Sequence, residues 1–401
     1  MEFQKIKLHR SEKNRAAVTQ ITLDDDYNVP DYRQDIVKVI KERGELRFDE
    51  VKAMEGAAWI KGSLVFKVLY RSDKQEGKIS CLRGEIPFQE RLNMDGLSEY
   101  DAVHATGDME DLTIGVINSR KLNVRAVIVL TASSEKEVDE ELTCELSDGS
   151  SYEQNIVEKE ALKLLVVRRD ICRQKSEAVL PSSKPNIREI LWQSMQLRNV
   201  ESRLVEGKIR LSGEILVSIL YNDEEEGEHL SWYETTVPLD AQAECGVMED
   251  DCIWQVQMVP LTMELEVKPD YDGEERILVM ELALDTHIRI WKEEKIRLLT
   301  DLYSLQKEVK PVFRECPLER LLVKNAAKCR MTEQMELKED KEKVLQICSC
   351  EGKVLLERQE IKPDGVLAEG TVEVNILYIT PDDHMPVGAV QEIYPFSQLV
   401  E

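Results

Sequence analysis

Aromatic residues make up only 5% of the 401-residue chain, so any core must be aliphatic, with Val, Ile and Leu carrying most of the burial. Histidines number five, at 9, 104, 229, 287 and 384. None stands at ligand spacing from another His, Cys or Asp, so strand-face or surface roles are expected and no metal site. The chain lacks G-x-x-x-x-G-K-S/T, G-x-G-x-x-G and G-x-S-x-G, which removes support for phosphate-loop and nucleophile-elbow chemistry and for a bound cofactor. No apolar run approaches the length of a membrane span. Met1–Arg10 has no apolar h-region, so no signal peptide is expected. Nine cysteines, an odd number without a framework, fit reduced thiols in a cytoplasm. Positive charge is in deficit: 53 Lys+Arg against 78 Asp+Glu gives −25. Such a surface repels phosphate backbones and anionic lipid, which argues against nucleic acid and suits a partner with basic patches.

The remaining chemical candidates are weak. Cys348 and Cys350, one residue apart, lie on one face of a strand and read as buried thiols. The acidic runs Asp24–Asp26 and Asp223–Glu226 lack the alternating ligands and fixed glycine of a calcium loop. Trp232 and Tyr233, after an acidic loop, are tentative interaction anchors, with core packing the competing reading.

What the chain does contain is a repeat. Gly62-Ser-Leu-Val-Phe-Lys-Val-Leu-Tyr70, Gly213-Glu-Ile-Leu-Val-Ser-Ile-Leu-Tyr221 and Gly370-Thr-Val-Glu-Val-Asn-Ile-Leu-Tyr378 align without a gap. The glycines are 151 and then 157 residues apart, spacings of domain size rather than of a solenoid. Downstream, each tyrosine is followed at fixed distance by Pro87-Phe88, Pro238-Leu239 and Pro395-Phe396. Upstream, Ile36 and Val39, Ile187 and Ile190, and Val344 and Ile347 keep register with the glycines, as do Cys172-Arg173 and Cys329-Arg330 in the last two copies.

Counting from each glycine, the even positions are apolar and end on the tyrosine, a period-two strand signal. The tyrosines 70, 221 and 378 are expected to face inward, ring buried and hydroxyl beside a polar partner. The glycines are expected at the start of equivalent strands. The odd face is half polar, as in an antiparallel sheet wet on one side. Polar turns follow at 71–77, 222–227 and 380–383, and the prolines fit edge strands. Helical spacing before the glycines, at 35–40 and 186–191, predicts a short helix or equally a strand.

The chain is therefore expected to be mainly β: three tandem β-sandwich-like repeat domains with short helices, at 1–135, 152–298 and 320–401. The Ser/Glu/Asp-rich stretch 132–151 reads as a linker, and 299–321 as a helix-containing bridge. The third repeat lacks the second β half that 121–131 and 276–291 supply to the others. Its apolar face, lined by Val372, Val374 and Ile376, then needs another cover: the 300–321 bridge, a neighbouring domain or a further segment of chain, with self-association expected where the face stays uncovered.

The Pro-led Ile-x-x-Ile segment, the Gly-x-Val-x-Val-x-Ile-Leu-Tyr strand and the Pro-Phe strand together resemble the SPOCS domain of spore-envelope morphogenetic proteins, notably the SipL-like proteins of spore-forming Firmicutes. Copy three, from Gly370 to Tyr378 with Pro395-Phe396, matches best; copy two has Leu239 for the aromatic; copy one has Phe66 and Lys67 inside the strand. The resemblance implies a non-enzymatic scaffold in the mother-cell cytoplasm, at the forespore surface. It implies binding to spore coat morphogenetic proteins, including the ATPase of the coat base layer. Peptidoglycan binding would come only with a LysM module after residue 401. A carbohydrate-binding or carbohydrate-acting β-sandwich is the alternative; it requires a cleft with convergent carboxylates and an aromatic platform.

Overall fold

The computed structural model describes residues 2–72, 78–147, 152–224, 229–249, 251–306, 308–337 and 343–401, with the backbone alone at 12–15. The strands are β1 (Phe3–Asn28), β2 (Lys38–Met54), β3 (Ala57–Arg71), β4 (Ile79–Asn93), β5 (Val103–Asn118), β6 (Lys121–Leu146), β7 (Glu153–Val179) and β8 (Ile187–Val205). They continue as β9 (Lys208–Asp223), β10 (Leu230–Glu244), β11 (Cys252–Pro269), β12 (Glu275–Tyr303), β13 (Gln346–Lys362), β14 (Gly365–Ile379) and β15 (Val387–Val400).

They form five three-stranded antiparallel sheets. In the first repeat a meander sheet, β2-β3-β4, packs face to face with a cover sheet, β1-β6-β5, around Leu64, Phe66, Val68, Leu122, Val124 and Ile128. The second repeat duplicates this with β8-β9-β10 against β11-β12-β7, around Ile215, Val217, Ile219, Leu278, Met280 and Leu284. The period-two pattern thus builds two-layer sandwiches. The third repeat has the meander β13-β14-β15 and no cover sheet among the described residues.

Among those residues there is no helix. The Ile-x-x-Ile spacing has another origin. Extra residues in β8 break the ladder between Ile187 and Glu189 and between Ile190 and Trp192. A β-bulge changes the face a strand presents, so apolar residues three apart both reach the core.

The two linkers also turn out otherwise. Residues 132–146 continue β6, paired with β1 down to Phe3, while 148–151 lie outside the described residues. Composition misled here because the acidic side chains are paired. Glu135 meets Arg289, and Glu140 meets Arg10 and Arg314. Of 299–321, the first part belongs to β12 as far as Tyr303. From 308 the chain belongs to no strand and crosses the junction of the two cover sheets. There Cys316 and Leu318 pack on Leu8, Leu142, Ala161 and Ile296, and the Leu162 amide donates to the Glu319 carbonyl at 2.7 Å. The tips of the first two hairpin turns, at 73–77 and 225–227, lie outside the described residues.

Each sandwich is locked at one corner by an arginine. The Arg120 guanidinium donates to the carbonyls of Val29, Pro30 and Arg33. Arg276 does the same to Leu180, Pro181 and Lys184. These carbonyls lie where the chain leaves the cover sheet for the meander, and a rigid five-donor fork satisfies them in one stroke.

Candidate interaction site

The signature residues occupy equivalent places in the three meanders. Tyr70, Tyr221 and Tyr378 are 0%, 0% and 2% exposed. Tyr70 and Tyr221 donate to the carbonyls of Gln34 and Pro185, each 36 residues upstream. Burial raises the phenol of Tyr70 and pushes that of Tyr221 up to about 12. Pro87, Pro238 and Pro395 sit in β4, β10 and β15, the third strands of their meanders, where a missing donor costs no ladder bond.

The glycines differ from expectation in one respect. Gly62, Gly213 and Gly370 are the sixth residues of β3, β9 and β14 rather than their first. Close approach explains the residue choice. The preceding strand bulges opposite each glycine, between Phe48 and Glu50, Arg198 and Glu201, and Leu356 and Arg358. The bulge brings the carbonyl oxygens of Arg47, Arg198 and Leu355 against the place a Cβ would fill. Phe88 and Phe396 pair directly across from Gly62 and Gly370 and lie over them, and Leu239 takes that place opposite Gly213. We expect Gly62→Ala to destabilise the chain by about 1–3 kcal/mol through overpacking. Gly115→Ala in β5, where a Cβ meets nothing within 4 Å, is expected to be neutral or slightly stabilising. Urea unfolding of both variants checks the contrast, and equal midpoints would refute the close-approach account.

The residue before each tyrosine was not singled out by sequence reasoning, and it carries the assembly. Leu69, Leu220 and Leu377 point away from the inward faces of their own meanders and are fully buried together in a separate core. Ile79 and Val387 join them, with Leu230 partly buried against the cluster. Bulges at Ile40, Leu191 and Cys348 fall in the same place in all three first strands and add those residues to it. The contacts run in one sense: β4 on β8, β10 on β13, and β15 on β2. Each meander offers its third strand to the first strand of the next, and the third repeat closes on the first. Head-to-tail contacts whose rotation closes generate a ring, so the three meanders form a pseudo-threefold ring within one chain.

The residue after each bulge is different in each copy and buried in all: Lys41, Trp192 and Ser349. The Lys41 ammonium lies 5.5 Å from the Trp192 ring centroid and 3.9 Å from Glu351, which also pairs with Arg43 at 3.5 Å. Burial lowers the Lys41 pKa against the pull of Glu351. Three repeats thus meet at one charged contact that only this order of copies makes. Further ties are Gln196 Nε2 to the Cys350 carbonyl at 2.9 Å, Arg33 to Glu189 at 3.0 Å and Arg71 to the His384 carbonyl at 3.1 Å.

A second junction joins the two cover sheets. His104 of β5 and His287 of β12 lie 5.6 Å apart between ring centroids. Arg169 of β7 donates to His104 Nδ1 at 3.3 Å and to Asp285 at 2.7 Å. Because a guanidinium only donates, His104 accepts there and is neutral. Desolvation first, then Arg169 for His104 and Arg289 for His287, lowers both imidazoles below 6.5, against the opposing pull of Asp285 and Glu135 on His104 and of Glu135 on His287. A histidine with a depressed native pKa contributes its full stability above the unfolded value and loses it as pH falls through the native one. The melting temperature should therefore drop as pH is lowered from about 7 to about 5. That drop should be shallower in the His104→Gln/His287→Gln variant; parallel melting curves would show that the pair is uncoupled from folding.

Trp232 and Tyr233 do not form a joint platform. They are half-buried on opposite faces of β10, Trp232 against the ring core under the Lys184 ammonium at 4.5 Å, Tyr233 against the second sandwich core. One open hollow is lined by Glu206, Glu249, Asp251 and Trp254. Its tryptophan is covered by the Lys324 ammonium at 4.9 Å, and Glu249 is held by Lys292 at 2.5 Å. Among the described residues no group of three or more His, Cys, Asp or Glu side chains can hold a metal ion, and no helix is long and apolar enough to cross a membrane. The nine cysteines are free thiols. Burial pushes that of Cys348, in the ring core, up to about 12.

The open feature is the third meander. Its inward face has the apolar alternation of its sisters, yet Val372, Val374 and Ile376 are only half-buried, where Leu64, Phe66 and Val68 are completely covered. Val354 and Leu356 beside them are exposed, Val354 to 64%.

The family model described as SipL, SPOCS domain matches residues 35–117, 186–268 and 343–401, more than half of the chain. The first two matches span β2 to β5 and β8 to β11, and the third spans β13 to β15. The comparisons with curated proteins and with solved structures find no match.

Proposed function

Because the chain belongs to the SPOCS-domain family of SipL proteins, we propose that it is a non-enzymatic scaffold of spore coat assembly. It works in the mother-cell cytoplasm at the forespore surface, where it binds the ATPase of the coat base layer and other coat proteins. The observation that carries this reading is the ring: three family-matched repeats pack the leucine common to all three copies against one another. A rigid body with several faces at fixed angles is what a multivalent adaptor requires, since linked weak sites gain avidity only when geometry lets them engage together. The strong negative charge favours basic partner surfaces and speeds encounter with them.

The test is localisation in sporulating cells of the source organism. A fluorescent fusion should form a shell around the forespore and become diffuse when the base-layer ATPase is removed. Deletion of the gene should leave coat material unattached. A diffuse signal throughout sporulation together with a normally attached coat would refute the proposal.

A further inference from the structure

The apolar part of the ring does not tell one meander from another. Leu69, Leu220 and Leu377 are the same residue, and around them stand Ile79, Leu230 and Val387 from the third strands and Ile40, Leu191 and Cys348 from the bulges. Apolar side chains of similar volume exchange in a core at little cost. A first or second meander from another copy of the chain would therefore fill the third place in the ring almost as well as a third meander does. Fixing which repeat enters which place takes a contact that the wrong repeats cannot make.

Such a contact lies beside the leucines. The third place is bounded by β10 and β2, which receive β13 and β15. There Glu351 of β13 stands 3.9 Å from Lys41 and 3.5 Å from Arg43. By the repeat spacing, Glu351 occupies the position that is Arg43 in the first meander and Ser194 in the second. A first meander in the third place would bring a guanidinium up to Lys41 and Arg43, a like-charge contact. A second meander would leave the Lys41 ammonium, 7% exposed, buried without a counter-charge. Of the three copies, only the third carries a carboxylate at this position.

The contact is poorly built for stability. Lys41 Nζ is buried with no hydrogen-bond acceptor among the described residues, and its other neighbour is the Trp192 ring. The desolvation of a buried pair offsets most of its attraction. A buried charge contact that adds little stability, yet penalises the wrong repeats, serves specificity. We propose that the contact of Lys41 and Arg43 with Glu351 selects a third meander for the third place in the ring and rejects the first and second meanders that a second copy of the chain would offer. This selection is independent of any role in coat assembly.

The test uses the complete chain refolded from urea, with the leucine methyl groups read by NMR. In the unmodified chain Leu69, Leu220 and Leu377 should each show one environment at every protein concentration. Glu351→Lys should open the third place, and amide exchange at 346–350 and 376–379 should quicken about a hundredfold. Adding Lys41→Glu restores a pair of opposite charges and should return the exchange to within about tenfold of the unmodified chain. Lys41→Met/Glu351→Leu keeps the packing on Trp192, leaves Arg43 its pair with Glu45, and should melt no lower than the unmodified chain. Its three ring leucines should nevertheless show additional environments that grow with the concentration at refolding, as meanders of other copies enter the ring. A single environment for each ring leucine in that variant would overturn the proposal, because the apolar core and the tether would then select alone. Failure of Lys41→Glu to rescue Glu351→Lys, or several environments in the unmodified chain, would overturn it as well.

Discussion

Leu220→Asp is expected to cost more than about 4 kcal/mol and to prevent the ring from closing. The side chain is buried between three sheets with Leu69 and Leu377. The substitution removes a packed aliphatic side chain, worth about 2–5 kcal/mol as Leu→Ala, and adds a carboxylate with no cation designed to meet it. The second sandwich core lies on the other face of β9, around Ile215, Val217, Ile219 and Tyr221, and keeps all its contacts. The expected result is therefore specific: the separate cores survive with strand content largely retained, while the hydrodynamic radius grows and cooperativity is lost. Circular dichroism with size-exclusion chromatography reads both. A variant with wild-type radius and a single sharp transition would show that the ring core is dispensable.

The second large effect is at the junction of the cover sheets. Glu135 of β6 accepts from Arg289 of β12 at 2.5 Å and from Ser11, with side-chain exposures of 14% for the glutamate and 9% for the arginine. Glu135→Ala leaves the Arg289 guanidinium buried without its counter-charge, and about 3–5 kcal/mol of stability should be lost. The double variant Glu135→Leu/Arg289→Met removes both charges and fills the space. It should recover most of that loss, because a buried pair repays little more than its own desolvation. Denaturant unfolding of the single and double variants closes the cycle. A double variant as unstable as Glu135→Ala would mean that the damage came from packing rather than from an orphaned charge.

Much of the fold was legible because the repeat and the strand period reinforce each other. Three in-register copies of the alternation from Gly62 to Tyr70 fixed the strand, its buried face and the inward tyrosine, and the prolines marked strands at a sheet edge. What escaped was whatever depends on contacts between repeats. Leu69, Leu220 and Leu377 stand on the face that reads as half wet, yet they are identical in all three copies. An apolar residue kept on the face away from its own core was the signal of a partner surface. Bulges were illegible because an extra residue turns a period of two into a spacing of three, which imitates a helix at Ile187 and Ile190. The stretch 132–146 looked like a solvated linker because composition records Glu135 and Glu140 but not the arginines, distant in sequence, that neutralise them.

Coupling across the ring is most directly measured by hydrogen exchange on Leu377→Asp, a change confined to the third meander. If the three meanders share one core, exchange should accelerate at the far ends of β3 and β9, near 68–71 and 219–222, and at the starts of β2 and β8, as well as across 346–400. Acceleration restricted to 343–401, with the first two repeats protected as in the unmodified chain, would contradict the ring and leave three independent domains on a string.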